Sequence, residues 1–116
     1  MLRALIVDDN ASFLDAASTL LEREGLTVAG VASSADDALA KVQELEPDVV
    51  LVDIGLGSES GFDLARRLSG SGSVVVLIST RSESDYARLI ADAPAAGFVP
   101  KSQLSAAAIR RLVSEP

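Results

Sequence analysis

Apolar residues in this chain fall in short bursts separated by polar turns, and the bursts are of two kinds. Val49 to Val52 and Val74 to Ile78 are unbroken apolar runs rich in β-branched side chains, the pattern of strands buried on both faces, as in a parallel sheet. Leu2 to Val7, broken only by Arg3, Leu26 to Val31, and Gly97 to Pro100 bring the strand segments to five. Between them the period lengthens. Phe13, Leu14, Ala17, Leu20 and Leu21 recur at helical spacing behind Asn10, a capping residue, and Gly25 ends that helix. Ala35, Ala38, Leu39, Val42 and Leu45 line one face of a second helix, capped by Ser33 or Ser34 and closed by Pro47. Ile54 to Ser60 reads as a loop, the segment from Gly61 or Phe62 to Leu68 as a short third helix, and Ser69-Gly70-Ser71-Gly72 as a turn. A weaker fourth helix runs from Ser82 toward Asp92 and frays near Pro94. Leu104 to Val113 forms the fifth, with Leu104, Ala108, Ile109 and Leu112 on its buried side.

Five strands alternating with five helices predict an α/β fold, a doubly wound parallel sheet covered on both faces and joined by right-handed crossovers. The chain has no internal repeat, low-complexity tract or interdomain linker, so residues 1–116 are expected to form one domain. That length is enough for a core without disulfides or a structural metal.

Composition narrows the chemistry. Hydrophobic residues make up 48% of the chain, yet no apolar run approaches the roughly 18 residues of a membrane span. Met1 leads straight into a strand-like segment, with no basic stretch and long apolar region behind it, so export is not expected. The chain has no cysteine, which excludes thiolate catalysis and zinc-thiolate sites and makes the cytoplasm the natural compartment. It has no histidine either, which excludes an intrinsic imidazole base, Ser-His-Asp triads and imidazole metal sites. A formal net charge of -7 disfavours direct nucleic-acid binding, which needs cationic surface against phosphates.

The remaining chemistry gathers where strands end. Asp8 and Asp9 follow the first strand, Asp53 the third, Ser79 and Thr80 the fourth, and Lys101 the fifth. Parallel strands send their carboxyl ends to one edge, the usual ligand edge of such sheets. Each residue alone has an ordinary explanation: a cap, a turn or a solvated cation. Together they form a site. Three carboxylates in one cleft repel one another unless a cation is present or a proton is taken up. Lys101 supplies one charge, and the surplus suits a divalent ion held by oxygen ligands, Mg²⁺ or Mn²⁺. Asp9 and Asp53 are the expected direct ligands, with Asp8 acting through water and the Gly55 carbonyl completing the set. A carboxylate beside such an ion can attack a phosphoryl group if the charge on the transferring oxygens is neutralised. Asp53 is then the nucleophile, Lys101 and Ser79 contact the phosphoryl oxygens, and backbone N–H groups near Gly55 and Thr80 assist.

This ordered set, from Asp8-Asp9 through Asp53, Ser79 and Phe98 to Lys101, resembles the receiver domain of two-component response regulators over essentially the whole chain. The intervals from Asp9 to Asp53 and from Ser79 to Lys101 match that family, and Gly61-Phe62-Asp63 resembles the start of its third helix. The resemblance implies a flavodoxin-like sheet of strand order 2-1-3-4-5, a topology for which chemotaxis receivers are a standing illustration. It also implies transfer to Asp53 from the phosphohistidine of a histidine kinase or phosphotransfer protein, so the missing histidine comes from the partner. A receiver is not an enzyme in the usual sense; it catalyses only its own phosphorylation and dephosphorylation. By the same resemblance Ser79 and Phe98 form the switch, the hydroxyl turning toward the phosphoryl group and the aromatic moving inward. The output face is built by the fourth helix, fifth strand and fifth helix (α4-β5-α5), for a downstream protein or a second copy. No membrane or direct nucleic-acid contact is implied.

Five positions depart from the family pattern or tune it. Thr80 stands where Ala or Gly is usual, and narrower access should slow phosphorylation by small donors relative to Thr80→Ala. Ser102 stands where Pro with a cis bond is common; a non-proline cis bond costs about 2.5–4 kcal/mol, so a trans Lys101–Ser102 peptide is expected. Gly55 and Arg81 occupy positions that modulate hydrolysis. Phe98 lacks the hydroxyl of the frequent Tyr, which makes the switch steric.

Other readings are weaker. Dehalogenase-like phosphatases resemble Asp-x-Asp at the nucleophile, whereas Gly55 occupies the second place here. The chain lacks a P-loop motif, and Asp8-Asp9 would repel a flavin phosphate. A degenerate receiver that only binds proteins, or a receiver excised from a DNA-binding transcription factor, remains as an alternative.

Overall fold

The protein is described by a computed structural model covering residues 2–56, 59–80 and 87–114. Five strands form one sheet: β1 (Arg3–Val7), β2 (Thr27–Ala32), β3 (Val49–Asp53), β4 (Val74–Ser79) and β5 (Gly97–Pro100). They pair in the order β2-β1-β3-β4-β5, and every pairing within this sheet is parallel. This is the expected 2-1-3-4-5 topology. At its centre β3 is buried along its whole length, and the run Val49 to Val52 is apolar throughout, as a strand covered on both faces must be, with Asp53 at its end.

Alternation along the strands divides the core in two. Leu5, Val7, Val50, Val52, Val75 and Leu77 face one cluster, which includes Ala38 and Val42 of α2 (Ala35–Leu45) and Leu64 and Leu68 of α3 (Gly61–Leu68). Ala4, Ile6, Val49, Leu51, Val76 and Ile78 face the other, with Leu14, Ala17 and Leu21 of α1 (Ala11–Arg23) and Ile109 of α5 (Ala106–Ser114). Among the described residues α4 is the short segment Ala87–Asp92; the expected start at Ser82, and Arg81, lie outside the described residues.

Local signals account for the boundaries. The Asn10 side chain accepts the Phe13 N–H at 3.1 Å and starts α1, while Ser34 accepts the Asp37 N–H at 3.2 Å and starts α2. Helix α2 ends on Glu46, a left-handed residue with φ 47°. The following Pro47 marked this stop in the sequence, but a left-handed non-glycine carries no sequence sign of its own.

Three expectations are corrected. The segment Ile54 to Ser60 is not all loop: Gly55–Leu56 and Glu59–Ser60 pair as a short antiparallel ladder, which sets Ser60 to accept the Phe62 N–H at 3.2 Å and cap α3. Leu20 points to solvent, 38% exposed, because the buried stripe of α1 is narrower than the apolar spacing suggested. The last helix begins at Ala106 rather than Leu104, after a 3₁₀ turn over Lys101–Gln103. Ser105 accepts the Ala108 N–H at 3.0 Å there, and this start buries Ala106 and Ile109 while leaving Ala108 and Leu112 half-buried. No cis peptide bond occurs among the described residues, so Lys101–Ser102 is trans as expected.

Candidate functional site

Register brings the acidic residues together. Val7 of β1 lies opposite Val52 of β3, so one step further Asp8 and Asp53 leave the sheet side by side. On the other flank Asp53 pairs with Ile78, and Ser79 of β4 pairs with Pro100 of β5, which sets Ser79 and Lys101 at the same rim. Asp8, Asp9 and Asp53 each place a carboxylate oxygen within 4.8 Å of the others. Lys101 Nζ lies 2.5 Å from Asp8 Oδ2 and 3.7 Å from Asp53 Oδ2. Asp8, Asp53 and Ser79 are buried, whereas Asp9 and Thr80 are exposed at the mouth.

The electrostatics are those of a site short of positive charge. Burial pushes the Asp53 carboxyl from 3.8 up to about 6, and the Asp8 charge pushes the same way. Lys101 and the Gly55 backbone N–H, which donates to Asp53, pull it back, and Asp9 adds a smaller upward push. Asp8 accepts the Asn10 N–H on Oδ1 at 2.8 Å. Its other oxygen, fully buried, meets Lys101 as an ion pair but without hydrogen-bond geometry. A buried carboxylate oxygen that no hydrogen bond satisfies, beside two further carboxylates, one of them resisting its own charge, fits a hard divalent cation with oxygen ligands.

Three participants were not legible as such in the sequence. Gly61 resembled a family landmark, but its physical reason is spatial: a Cβ there would lie 2.2 Å from the Asp53 carbonyl oxygen and 2.8 Å from Ile54 Cα. The entry to α3 therefore runs against the backbone that carries Asp53. Asn10 was read only as a helix cap, yet its N–H orients Asp8. Phe13 read as an apolar position of α1, and Lys101 Nζ lies over its ring, 4.2 Å from the centroid.

Phe98, opposite Leu77 in the β4–β5 ladder, is half-buried against the cluster under α2 and α3. It borders a groove that continues through Val99, Pro100, Gln103, Ala108, Arg111 and Leu112 on β5 and α5.

A rim of this kind on a 2-1-3-4-5 sheet defines a class, and comparison with known proteins agrees. Residues 4–113 match the response regulator receiver domain, and the chain belongs to that family. It is 34% identical over 104 residues to the response regulator GacA of Pseudomonas viridiflava, covering 87% of this chain and 49% of that protein. It is 27% identical over 105 residues to the DNA-binding transcriptional activator EvgA of Escherichia coli K12, covering 88% of this chain and 51% of the relative. The chain thus spans about half the length of these curated relatives. A CheY-like receiver domain protein from Methanospirillum hungatei superposes with a TM-score of 0.78 at 25% identity, over 96% of this chain and 89% of that one. A two-component response regulator of the LuxR family from Aurantimonas does so with a TM-score of 0.85 at 25% identity, over 97% and 84%. Receiver domains bind Mg²⁺ at an acidic pocket and interact with kinases and downstream effectors. No helix among the described residues is long and apolar enough to cross a membrane.

Proposed function

We propose that Asp53 is the phosphoacceptor of a Mg²⁺-dependent transfer from a phosphohistidine of a histidine kinase or phosphotransfer protein. The observation that carries this reading is the convergence of Asp8, Asp9 and Asp53 oxygens within 4.8 Å, with Lys101 at the same carboxylates. Asp9 and Asp53 would hold the ion directly, Asp8 through water, and the Gly55 carbonyl would complete the protein ligands. When bound, Mg²⁺ (or Mn²⁺) supplies the positive charge that neutralises the transferring oxygens.

The chain's own residues do the rest. An Asp53 carboxylate oxygen forms the bond to phosphorus as the bond from phosphorus to the donor imidazole nitrogen breaks, and the imidazole leaves. Lys101 takes up the charge of one phosphoryl oxygen, and Ser79, buried at the same rim, donates its hydroxyl to another. The Gly55 N–H that donates to Asp53 and the Thr80 N–H assist. Ser79 and Phe98 then couple the phosphorylated state to the α4-β5-α5 surface, where a downstream protein or a second copy docks. The relatives of about twice this length include a DNA-binding activator, so transcriptional control is the class of output to test first.

Incubation with an acyl phosphate, with and without Mg²⁺, followed by mapping of the modified residue, tests the assignment. Incorporation should need the ion and vanish in Asp53→Asn. Equal incorporation in that variant removes Asp53 as nucleophile, and none in the native chain at saturating Mg²⁺ leaves a module that only binds proteins.

A further inference from the structure

We infer that Phe13 is a positioning residue for Lys101, its ring serving as an uncharged seat that keeps the ammonium at the acidic rim. This rests on the phosphoacceptor reading above and adds a residue to it. Lys101 carries its charge on a flexible four-carbon stem whose tip is not fixed by its backbone. Its backbone begins the 3₁₀ turn Lys101–Gln103 after β5, yet its tip reaches the carboxylates at the ends of β1 and β3, and its side chain is only 13% exposed.

Asp8 Oδ2 at 2.5 Å, Asp53 Oδ2 at 3.7 Å and the Phe13 ring at 4.2 Å from its centroid meet that tip. The carboxylates are poor positioners on their own. Asp8 Oδ2 holds the ammonium by charge without hydrogen-bond geometry. Both carboxylates also belong to the acidic cluster, so a divalent cation would compete with Lys101 for them. A ring quadrupole attracts an ammonium without competing for the metal and gains strength when water is excluded. Phe13 is suited to this because α1 is anchored on either side of it. Asn10 caps the helix through the Phe13 N–H itself, and Leu14 and Ala17 are buried under the sheet. The half-buried ring is thereby held at the rim with Lys101 Nζ over it.

The experiment compares Phe13→Leu, Phe13→Tyr and Lys101→Ala with the native chain by two readouts. The first is independent of phosphorylation: proton shifts of the Lys101 ε-methylene, with and without Mg²⁺. The ring should displace them upfield in the native chain and in Phe13→Tyr, and Phe13→Leu should return them to ordinary lysine values. Ordinary values in the native chain overturn the proposal, whatever becomes of the phosphoacceptor assignment. The second is the limiting rate of Asp53 phosphorylation by an acyl phosphate at saturating Mg²⁺. Phe13→Leu should lower it about tenfold, with Phe13→Tyr near native. In a Lys101→Ala background the Phe13→Leu change should have no further effect, which a purely structural role would not reproduce. A loss of the same size in both backgrounds, or none in either, overturns the proposal while leaving Asp53 as acceptor.

Discussion

Helices α3 and α4 both follow strands that deliver a residue to the acidic rim, but they are attached to the sheet very differently. In α3, Gly61, Phe62, Leu64, Ala65 and Leu68 are buried, five of its eight residues. In α4, Ala87–Asp92, no residue is buried: Ile90 is half-buried and Leu89 is 49% exposed. Free energy of burial scales with the apolar area removed from water. The Asp53 strand is thus followed by an element that cannot shift cheaply, and the Ser79 strand by one whose described residues, Ala87–Asp92, can. Such an asymmetry suits the proposed role of Asp53 as phosphoacceptor, held still while a change passes on the other side, since elements that move are drawn from the less stable parts of a fold.

Truncation of a leucine in each helix has the largest expected effect. Leu64→Ala should cost about 3–4 kcal/mol in denaturant unfolding, whereas Leu89→Ala should stay within about 0.5 kcal/mol. Equal losses would mean that α4 is as firmly bound as α3. Next, Gly61→Ala forces a methyl group into the backbone at Asp53. A loss of about 2–3 kcal/mol is expected from overpacking, together with slower phosphorylation; a neutral result would show the α3 entry to be compliant.

The pH dependence of the metal-free protein gives a smaller effect with a definite sign. The folded value of Asp53, about 6, lies above its ordinary 3.8, so the fold favours the protonated carboxyl. That stabilisation is fully present below the unfolded value and is lost as pH rises through about 6. Asp53→Asn should therefore be more stable than the native chain at neutral pH by about 1–3 kcal/mol. The two unfolding curves should converge toward pH 4, and a pH-independent gap would assign the effect to packing. The smallest effect is on access. Thr80 is exposed beside buried Ser79, and Thr80→Ala should speed uptake from a small donor by a few fold. Equal or faster uptake in the native chain would remove its screening role.

Much of this was legible in the sequence because burial on both faces leaves an unbroken apolar run. Val49 to Val52 and Val74 to Ile78 could be placed as central strands, and the polar residue ending each run then marked the rim. Asp8, Asp9, Asp53, Ser79 and Lys101 were legible for that reason. The ladder of Gly55–Leu56 with Glu59–Ser60 was not, because two-residue strands have too few positions to show a period. Leu20 and the start of the last helix were misplaced because apolar spacing defines a stripe only to within about a turn, and a cap such as Ser105 decides its phase; Leu104 itself is buried as expected.

The order of elements and the chemical types at the rim are set by sequence alone, because strand and helix periodicities are local and parallel strands share an edge, whereas the 2-1-3-4-5 strand order followed only from the family resemblance. Only the tertiary structure decided how those groups stand toward one another. Lys101 sits nearer Asp8 than Asp53, the Gly61 backbone abuts that of Asp53, and the Phe13 ring lies under the Lys101 ammonium. The Lys101 contacts join residues far apart in the chain, the Gly61 contact closes a short loop back on itself, and all of these distances follow from how α1, α3 and β5 pack, which no local pattern encodes.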